Sequence, residues 1–546
     1  MKRAGASVGR RGPDHTGLGA LVNPVTPREA PMNRLSGALA VVVLMLATGC
    51  SGPAGSPAQG SPHNAINIHL YQKPKRFSPL DPPTGPDQQV MTLIFDNLLT
   101  VDDSYAYAPR LAERWEVGED RITFHLREGL KWSDGMPFTS KDVLFTYRLL
   151  ADAKSGSAMA GKLAGAAFEA PDDNTFVIRP ARSNVGFLSL IAGPFAFILP
   201  EHVLGMEPVD RIAGSVFFNH PTVGMGPYTF VTYKTDQYVE LAANPHYRKP
   251  IAIPRIFLKP ISSDVATAQL GTGEMDLVQI SPTDLRAVES LKGITVSARP
   301  SPGFVRIAVD QSDKRFADPR VRRAMLHAID REALVAKLLA GRGRVQNSSF
   351  VTPWALPGTL EEYAYDPAKA RSLLAEVGWK AGEKVTLSWI PGQRDRDVTA
   401  TVVQGALGAA GMTVELKQVQ AAELLESYEK RTFDLALFGG GSYAVDPSSS
   451  VTILNCATFY PTGGNISNFC DESLDALTAR ADARTDRDQR AKLYQEAAGK
   501  DNAQVPYLWL YNPDTLWATG PRLRGFKPGG DFTTGFWNAD EWTLAG

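Results

Sequence analysis

Two short segments approach the spacing of catalytic motifs, and each lacks a residue that the chemistry needs. Residues 156–163 (GSAMAGKL) have the spacing of a phosphate-binding P-loop, but Leu163 stands where a serine or threonine hydroxyl would hold magnesium. Residues 440–444 (GGSYA) resemble the G-x-S-x-G nucleophile elbow of serine hydrolases, but Ala444 replaces the final glycine. No histidine follows this segment, since the last one is His327. The sequence therefore predicts neither a nucleotide site of this type nor a serine hydrolase.

The sequence also lacks the ligand spacing of a catalytic metal site. The chain has 8 histidines, and none forms an H-x-x-x-H pair that a helix would place on one face. We expect no metal, no cofactor and no enzymatic activity. The charged run at residues 482–490 (DARTDRDQR) predicts a solvent-exposed helix face.

Cys50 closes a segment that is typical of exported proteins. Residues 37–47 (GALAVVVLMLA) are apolar but too few for a membrane-crossing helix, which needs about 20 residues, and a basic residue precedes them. The sequence ATGC resembles a bacterial lipobox, although Ala47 replaces the leucine that is usual three residues before the cysteine, and Leu46 lies one place earlier. We expect residues 1–49 to be a leader with Met32 as the true start, and Cys50 to carry a lipid. The alternative is an ordinary signal peptide.

The composition is that of a soluble protein. Lys and Arg total 57 against 58 Asp and Glu, so the chain has no basic excess with which to bind a nucleic acid. Hydrophobic residues make up 43% and charged residues 21%, which argues against several membrane spans and against a disordered chain. Removal of the basic leader leaves an acidic body. Residues 50–64, rich in Gly, Ser and Pro, predict a flexible, lipid-anchored tether.

Strand and helix signals alternate through the rest of the chain, which predicts an α/β fold. Asp318 is placed to cap a helix that ends at Gly341, and Thr139 or Ser140 is placed to cap another. The further elements that we expect are helices at 400–410 and 471–480, and strands at 66–71, 122–127, 228–233, 238–244, 305–310, 385–390, 413–419 and 434–439.

Cys456 and Cys470 are separated by 13 residues in a chain that we expect to be exported. In an oxidising compartment they can form a disulfide, and the loop that it closes would be stabilised by about 3 kcal/mol on chain-entropy grounds. The alternative is a pair of free buried thiols. The enclosed residues (ATFYPTGGNISNF) are rich in aromatic and amide groups that can contact a ligand.

Several long segments resemble one known family. They occur in the family's order, and they are residues 109–150 (PRLAERWEVGEDRITFHLREGLKWSDGMPFTSKDVLFTYRLL), 224–250, 269–285, 316–335, 365–379 and 422–447. They are similar to the family 5 extracytoplasmic solute-binding proteins, which are the peptide- and nickel-type receptors of bacterial ABC importers. The resemblance runs from Ile66 to the C-terminus. Residues 456–477 also resemble the cysteine-bounded segment of dipeptide receptors, which supports the disulfide.

The resemblance implies an α/β fold of the periplasmic-binding-protein type, class II, with two lobes joined by a hinge. Such a protein closes over its solute and delivers it to a membrane permease. We expect a monomer that contacts the membrane only through its lipid. The implied domains are lobe one (65–95, 221–300 and 500–546), an extra domain (96–220) and lobe two (301–499), with the hinge at the two crossings near 300 and 500.

Residue by residue, the resemblance places the ligand site around residues 440–447. Peptide receptors of the family carry an aspartate about four residues before the proline of this turn, where it pairs with the peptide ammonium. Aligned on Pro447, that position is Tyr443, and Gly440 replaces the usual tryptophan. Unless Asp446 substitutes, the ammonium anchor is missing, and an aromatic hydroxyl suits a neutral or sugar-like solute equally well.

Further candidate contacts lie at strand ends, crossings and loops. An arginine that faces the cleft could bind a solute carboxylate. The expected ligand contacts are Tyr71, Phe304, Arg306, Trp354, Arg394, Arg396, Gly441, Ser442, Tyr443, Asp446, Asn465 and Asn468. The solute implied is an oligopeptide or a molecule of similar size. The alternatives are a haem, glycan or metal-chelate receptor, and an envelope chaperone or scaffold that does not transport.

Overall fold

The computed structural model describes residues 64–81, 84–102, 106–181, 186–193, 195–301, 303–440, 446–529 and 536–545. The predicted leader and Cys50 lie outside these residues, so lipidation stays a prediction. Within the described ranges, no helix has both the length and the apolar character needed to cross a bilayer.

The strands follow the apolar patterns of the sequence, and all eight predicted strands are present. The strands are β1 (Ala65–Leu70), β2 (Leu99–Val101), β3 (Tyr107–Pro109), β4 (Ala112–Val117), β5 (Ile122–Leu126), β6 (Ala167–Asp172), β7 (Thr175–Arg179), β8 (Tyr228–Lys234), β9 (Tyr238–Ala243), β10 (Arg255–Pro260), β11 (Leu277–Ile280), β12 (Thr295–Arg299), β13 (Phe304–Val309), β14 (Gly343–Val345), β15 (Lys384–Trp389), β16 (Thr413–Gln418), β17 (Leu435–Gly440), β18 (Tyr507–Pro513), β19 (Thr515–Thr519), β20 (Leu523–Arg524) and β21 (Thr543–Leu544).

Helices lie between the strands, and several begin at a capping residue. The helices are α1 (Gly85–Ile94), α2 (Ser140–Ala151), α3 (Ala160–Leu163), α4 (Phe187–Ile191), α5 (Glu201–Leu204), α6 (Val209–Ile212), α7 (Ser263–Thr272), α8 (Leu285–Glu289), α9 (Lys314–Ala317), α10 (Pro319–Ala328), α11 (Arg331–Ala333), α12 (Pro367–Glu376), α13 (Arg394–Ala409), α14 (Ala421–Lys430), α15 (Ser448–Val451), α16 (Glu472–Asp482) and α17 (Arg487–Gln504).

Two of the predicted helix starts show why capping residues are informative. Thr139 caps α2, and the Asp142 carboxylate accepts a hydrogen bond from the Thr139 backbone N–H at 3.0 Å, which completes a capping box. Asp318 caps α10 as expected. The expectation that this helix continues to Gly341 is wrong, because α10 ends at Ala328. Asp330 then caps a separate turn by accepting from the Ala333 N–H at 2.8 Å.

The largest sheet has seven strands in the order β12-β19-β11-β1-β10-β9-β8. All six residues of β1 are buried, and its neighbours β10 and β11 run parallel to it. A strand buried on both faces is expected to be apolar, and four of the six residues of β1 are, the exceptions being the buried Asn67 and His69. A four-stranded antiparallel sheet, β4-β5-β7-β6, shares one hydrophobic cluster with the large sheet, which includes Ile66 and Phe124.

A second sheet has six strands in the order β14-β18-β13-β17-β15-β16. Its strand β13 lies between β17 and β18 and is antiparallel to both. Val305, Ile307 and Val309 of β13 belong to the hydrophobic cluster on one face, and Ala308 belongs to the cluster on the other. Since side chains alternate along a strand, Arg306 shares the face of Ala308.

The chain passes twice between the seven-stranded and six-stranded sheets. The first passage joins β12 to β13, and the second lies at Asp514, between β18 and β19. The Asn512 side-chain amide donates to the carbonyl of Gly303 at 2.6 Å, which ties the two passages together. The three-domain division and the hinge remain predictions, and the second change of sheet follows Pro513, beyond the boundary expected at 500.

Candidate solute-binding cleft

A cavity of about 840 Å³ lies beside the six-stranded sheet. One part of its lining comes from Met159, Lys162, residues 186–193 and Phe195, and the rest comes from β13, residues 346–351, residues 448–483 and Trp509. Apolar side chains such as Phe187 and Phe304 alternate with polar ones such as Ser189 and Thr458. Cavities of this volume and mixed lining are typical of sites for small organic ligands.

Phe304 and Arg306, which the sequence suggests as ligand contacts, both line the cavity. They are two residues apart on β13, so the pleat of the sheet places them on the same face. Arg306 pairs in register with Phe438 of β17 and with Trp509 of β18. The guanidinium carbon lies 4.5 Å from the ring centre of Phe304, 4.7 Å from those of Phe438 and Trp509, and 3.9 Å from that of Tyr507. We call these four rings the aromatic cage. They attract the cation electrostatically.

Arg306 is 3% exposed, and neither Nε nor Nη1 has a hydrogen-bond partner. Burial lowers the pKa of Arg306 to about 10, although nearby Tyr507 and other groups oppose this shift. The guanidinium therefore remains charged at neutral pH.

Helix α16 brings two carboxylates to the cavity. Asp475 and Asp482 are two turns apart on one helix face and line the cavity with Ala479. The Asp475 Oδ2 accepts from the Cys456 backbone N–H at 3.0 Å, whereas its buried Oδ1 has no hydrogen-bond partner. Burial raises the pKa of Asp475. Burial also raises the pKa of Asp482 to about 6, although the hydrogen bond from Tyr494 lowers it.

Cys456 and Cys470 form the predicted disulfide, with their Cα atoms 4.7 Å apart. Asn465 is fully buried inside this loop, where its amide donates to the carbonyls of Asn455 and Phe469. The Asn468 amide donates to the Asp310 carboxylate at 2.9 Å. The structure thus gives these two expected ligand contacts a role in holding the loop, and neither lines the cavity.

Asp446 does not supply a free carboxylate. Both of its oxygens accept hydrogen bonds from Arg490, each at 2.8 Å, and both residues are buried. Trp354 packs beside this pair. The centre of its ring lies 5.4 Å from the guanidinium carbon of Arg490 and 6.1 Å from the ring centre of Tyr494. The expectation of an exposed charged face at residues 482–490 is therefore wrong for Arg490, because folding turns it inward to pair with Asp446.

Three other expected contacts lie away from the cavity wall. Tyr71 is 50% exposed and lies against Gly85 at the start of α1. Arg394 is exposed in a shallow surface depression at the start of α13. Arg396 is half-buried against the backbone of Gly439 in β17. None of the three lines the cavity.

The remaining expected contacts, Gly441, Ser442 and Tyr443, lie outside the described residues and stay predictions. Conversely, sequence reasoning missed Lys162, Ser349 and Asp475, which line the cavity. Only Asp475 had a usable signal, since Asp475 and Asp482 are spaced to share a helix face. In the part of the chain that the structure describes, no three His, Cys, Asp or Glu side chains gather as a metal site would need.

Comparison with known proteins decides the family. The model of the bacterial extracellular solute-binding proteins, family 5, matches residues 106–460. The chain belongs to this family. A Brucella ovis protein, named as an ABC transporter peptide-binding protein, is 31% identical over 437 residues, covering 77% of this chain and 82% of the relative.

Solved structures of similar fold include two with different ligands in their descriptions. The oligopeptide-binding protein AppA of Bacillus subtilis, in complex with a nonapeptide, has a TM-score of 0.77 at 24% identity and covers 90% of this chain and 100% of its own. NikZ of Campylobacter jejuni, in complex with Ni(L-His), has a TM-score of 0.77 at 23% identity, with 88% and 100% coverage. The predicted α/β fold of the periplasmic-binding-protein type, with two lobes, is confirmed. The family 5 protein is an extracytoplasmic solute-binding receptor and not an enzyme.

Proposed function

We propose that this family 5 protein captures oligopeptides, or solutes of similar size, in the 840 Å³ cavity and delivers them to the permease of an ABC importer. The cavity carries the proposal, because its wall combines apolar rings with charged groups that have unused hydrogen-bonding atoms. Such a lining suits a solute with both apolar and polar parts. The naming of the Brucella ovis relative as a peptide-binding protein supports the same solute class.

A receptor for another solute, such as haem, a glycan or a metal chelate, is the second candidate. The observation in its favour is that proteins of this fold are described with ligands as different as a nonapeptide and Ni(L-His). A chaperone or scaffold role is the third, and a cavity without a specific solute would favour it.

The chain is further proposed to be exported and held at the outer face of the cytoplasmic membrane by a lipid on Cys50. The apolar run that ends three residues before this cysteine supports the proposal. Expression with radiolabelled palmitate tests it, with Cys50→Ser as the control. We expect label on the wild type only, and an unlabelled wild type would contradict lipidation.

Native mass spectrometry of the purified protein, followed by extraction of co-purified molecules, tests the solute. Two variants on α16 give a matched comparison, since Ala476 and Ala479 are both exposed and only Ala479 lines the cavity. We expect peptides bound to the wild type and to Ala476→Trp, and depleted in Ala479→Trp, because the indole fills part of the cavity. Equal loads in the two variants would place the solute elsewhere, and non-peptide masses would favour the second candidate.

Tyr443 is proposed to contact the solute in place of the aspartate that peptide receptors of the family carry. Comparison of Tyr443→Phe with Tyr443→Ala separates a hydroxyl contact from a ring contact. Unchanged affinity in both variants would exclude this residue from the site.

Delivery to the permease is tested by uptake of labelled peptides into cells that lack the protein, with and without its expression. Equal uptake would contradict the importer role.

A further inference from the structure

The structure contains four buried arginines among its described residues, and three of them have their guanidinium groups satisfied. Arg322 and Arg331 each donate to several backbone carbonyls. Arg490 has the two-point contact with Asp446. Arg306 is the exception, since its enclosed Nε and Nη1 atoms have no acceptor.

No carboxylate among the described residues accepts a hydrogen bond from Nε or Nη1 of Arg306. The charge of Asp501 favours the charged guanidinium, but the oxygens of Asp501 already have other partners. They accept hydrogen bonds from the Ser348 hydroxyl at 2.8 Å, and from the Ser349 hydroxyl and backbone N–H at 2.6 Å. The aromatic cage stabilises the cation, but none of its members accepts a hydrogen bond from Nε or Nη1.

A buried cation whose N–H donors lack acceptors is unfavourable, and folded proteins retain one chiefly where another group supplies the acceptors. Arg306 lines the cavity, so a bound solute lies within reach of it. We propose that Arg306 binds an anionic group of the solute, a carboxylate, and that the aromatic cage holds the guanidinium in place for it. This inference rests on the proposed receptor function and names the solute class for that site.

The other charged groups of the cavity are less suited to this role. Asp475 and Asp482 lie on α16 and would repel an anion there. Lys162 lies on α3 and is exposed, although partial burial lowers the pKa of its ammonium group. Its long side chain can still reach water, whereas Nε and Nη1 of Arg306 are enclosed without acceptors, so Arg306 is the cation to which we assign the solute carboxylate.

Retention of two matched peptide mixtures tests the inference on the wild-type protein. The probes are a tryptic digest of casein and the same digest with its carboxyl groups converted to methyl esters. Immobilised protein is exposed to each mixture, and retained peptides are counted by mass spectrometry. We expect retention of the esters to fall by roughly 10-fold or more, as for loss of one charge-assisted hydrogen bond. Equal retention of both mixtures would overturn the inference and leave the receptor function standing.

Three variants attribute the effect to Arg306. Arg306→Met keeps an unbranched side chain within the aromatic cage but removes the charge, and Arg306→Lys keeps the charge. Arg344→Met is the matched control, since Arg344 is exposed on β14 of the same sheet and does not line the cavity. We expect weak retention of the unmodified digest by Arg306→Met, partial recovery in Arg306→Lys and wild-type retention in the control. Full retention by Arg306→Met would overturn the inference.

A second probe decides the case in which the wild type retains no peptide and the proposed peptide function fails. The unfolding temperature is measured with hippurate and with its amide, which differ only in the carboxylate. A larger shift with hippurate in the wild type, lost in Arg306→Met, would support the anion site for a non-peptide acid. Equal shifts, or none, would overturn it.

Discussion

Arg490 and Asp446 form a buried ion pair with two contacts, Nη1 to Oδ2 and Nη2 to Oδ1, each of 2.8 Å. The pair joins α17 to the segment that precedes α15. Sequence reasoning assigned Asp446 to the ligand, but its two oxygens already hold a partner. The pair is therefore expected to contribute to stability and to the position of the loop that it anchors.

Removal of one partner should be costly because the other stays buried. We expect Arg490→Met to lower the free energy of unfolding by about 3–5 kcal/mol, measured by urea denaturation. The control is Lys384→Gln, which removes an exposed pair with Glu415 at 2.5 Å and should change stability little, because water screens the pair. Similar losses in both variants would contradict a structural role for the buried pair.

Stability should depend on pH through Asp501. Burial raises its pKa from 3.8 to about 6, although hydrogen bonds from Ser349 and Ser348 oppose the shift. A raised carboxyl pKa means that the folded state binds the proton more tightly than the unfolded state. This contribution is complete below about pH 4 and is lost as the pH rises through about 6.

Asp501→Asn should remove this dependence, because an amide does not titrate and can keep bonds to the two serines. We expect the fall in unfolding free energy between about pH 3 and 7 to shrink by roughly 3 kcal/mol in the variant. Urea denaturation at several pH values measures it. Asp482, with its pKa also raised to about 6, leaves a residual slope. A slope equal to that of the wild type would contradict the prediction.

The disulfide should stabilise the loop that lines the cavity. Replacement of Cys456 and Cys470 by serine is expected to lower the free energy of unfolding by about 3 kcal/mol. The control is reduction of the wild type, which should give the same loss. Thiol labelling under denaturing conditions, before and after reduction, provides a second check. Two reactive thiols without reductant would show that no bond forms.

The free oxygen of Asp475 should bind a hydrogen-bond donor of the solute. If the solute is a peptide, we expect Asp475→Asn to weaken its binding by roughly 10-fold, because the charge-assisted bond to an ammonium or amide group is reduced. Calorimetric titration with a peptide identified by mass spectrometry, and with its N-acetyl form, measures the loss. Asp486→Asn is the control, since Asp486 caps α17 through the Gln489 N–H and does not line the cavity. Equal affinity in the wild type and Asp475→Asn would exclude this contact.

Much of the fold is predictable from local pattern. The eight expected strands are present because apolar and β-branched residues cluster in them, and the starts of α2 and α10 follow from capping at Thr139 and Asp318. These signals act over a few residues and therefore need no tertiary information. The break after Ala328 was missed because Ile329 and Asp330 continue an apolar and charged pattern that also suits a helix.

Some features of the candidate site also follow from the sequence, and others depend on the tertiary structure. The sequence by itself predicted the family, the disulfide and two candidate contacts, Phe304 and Arg306, which the structure places in the cavity wall. Only the tertiary structure decided which charged residues have partners. Phe438 and Trp509 flank Arg306 from strands that are distant along the chain, and Arg490 reaches Asp446 from another helix. Whether a charge is compensated depends on neighbours that folding brings within a few ångströms, and residue type and spacing do not specify those neighbours.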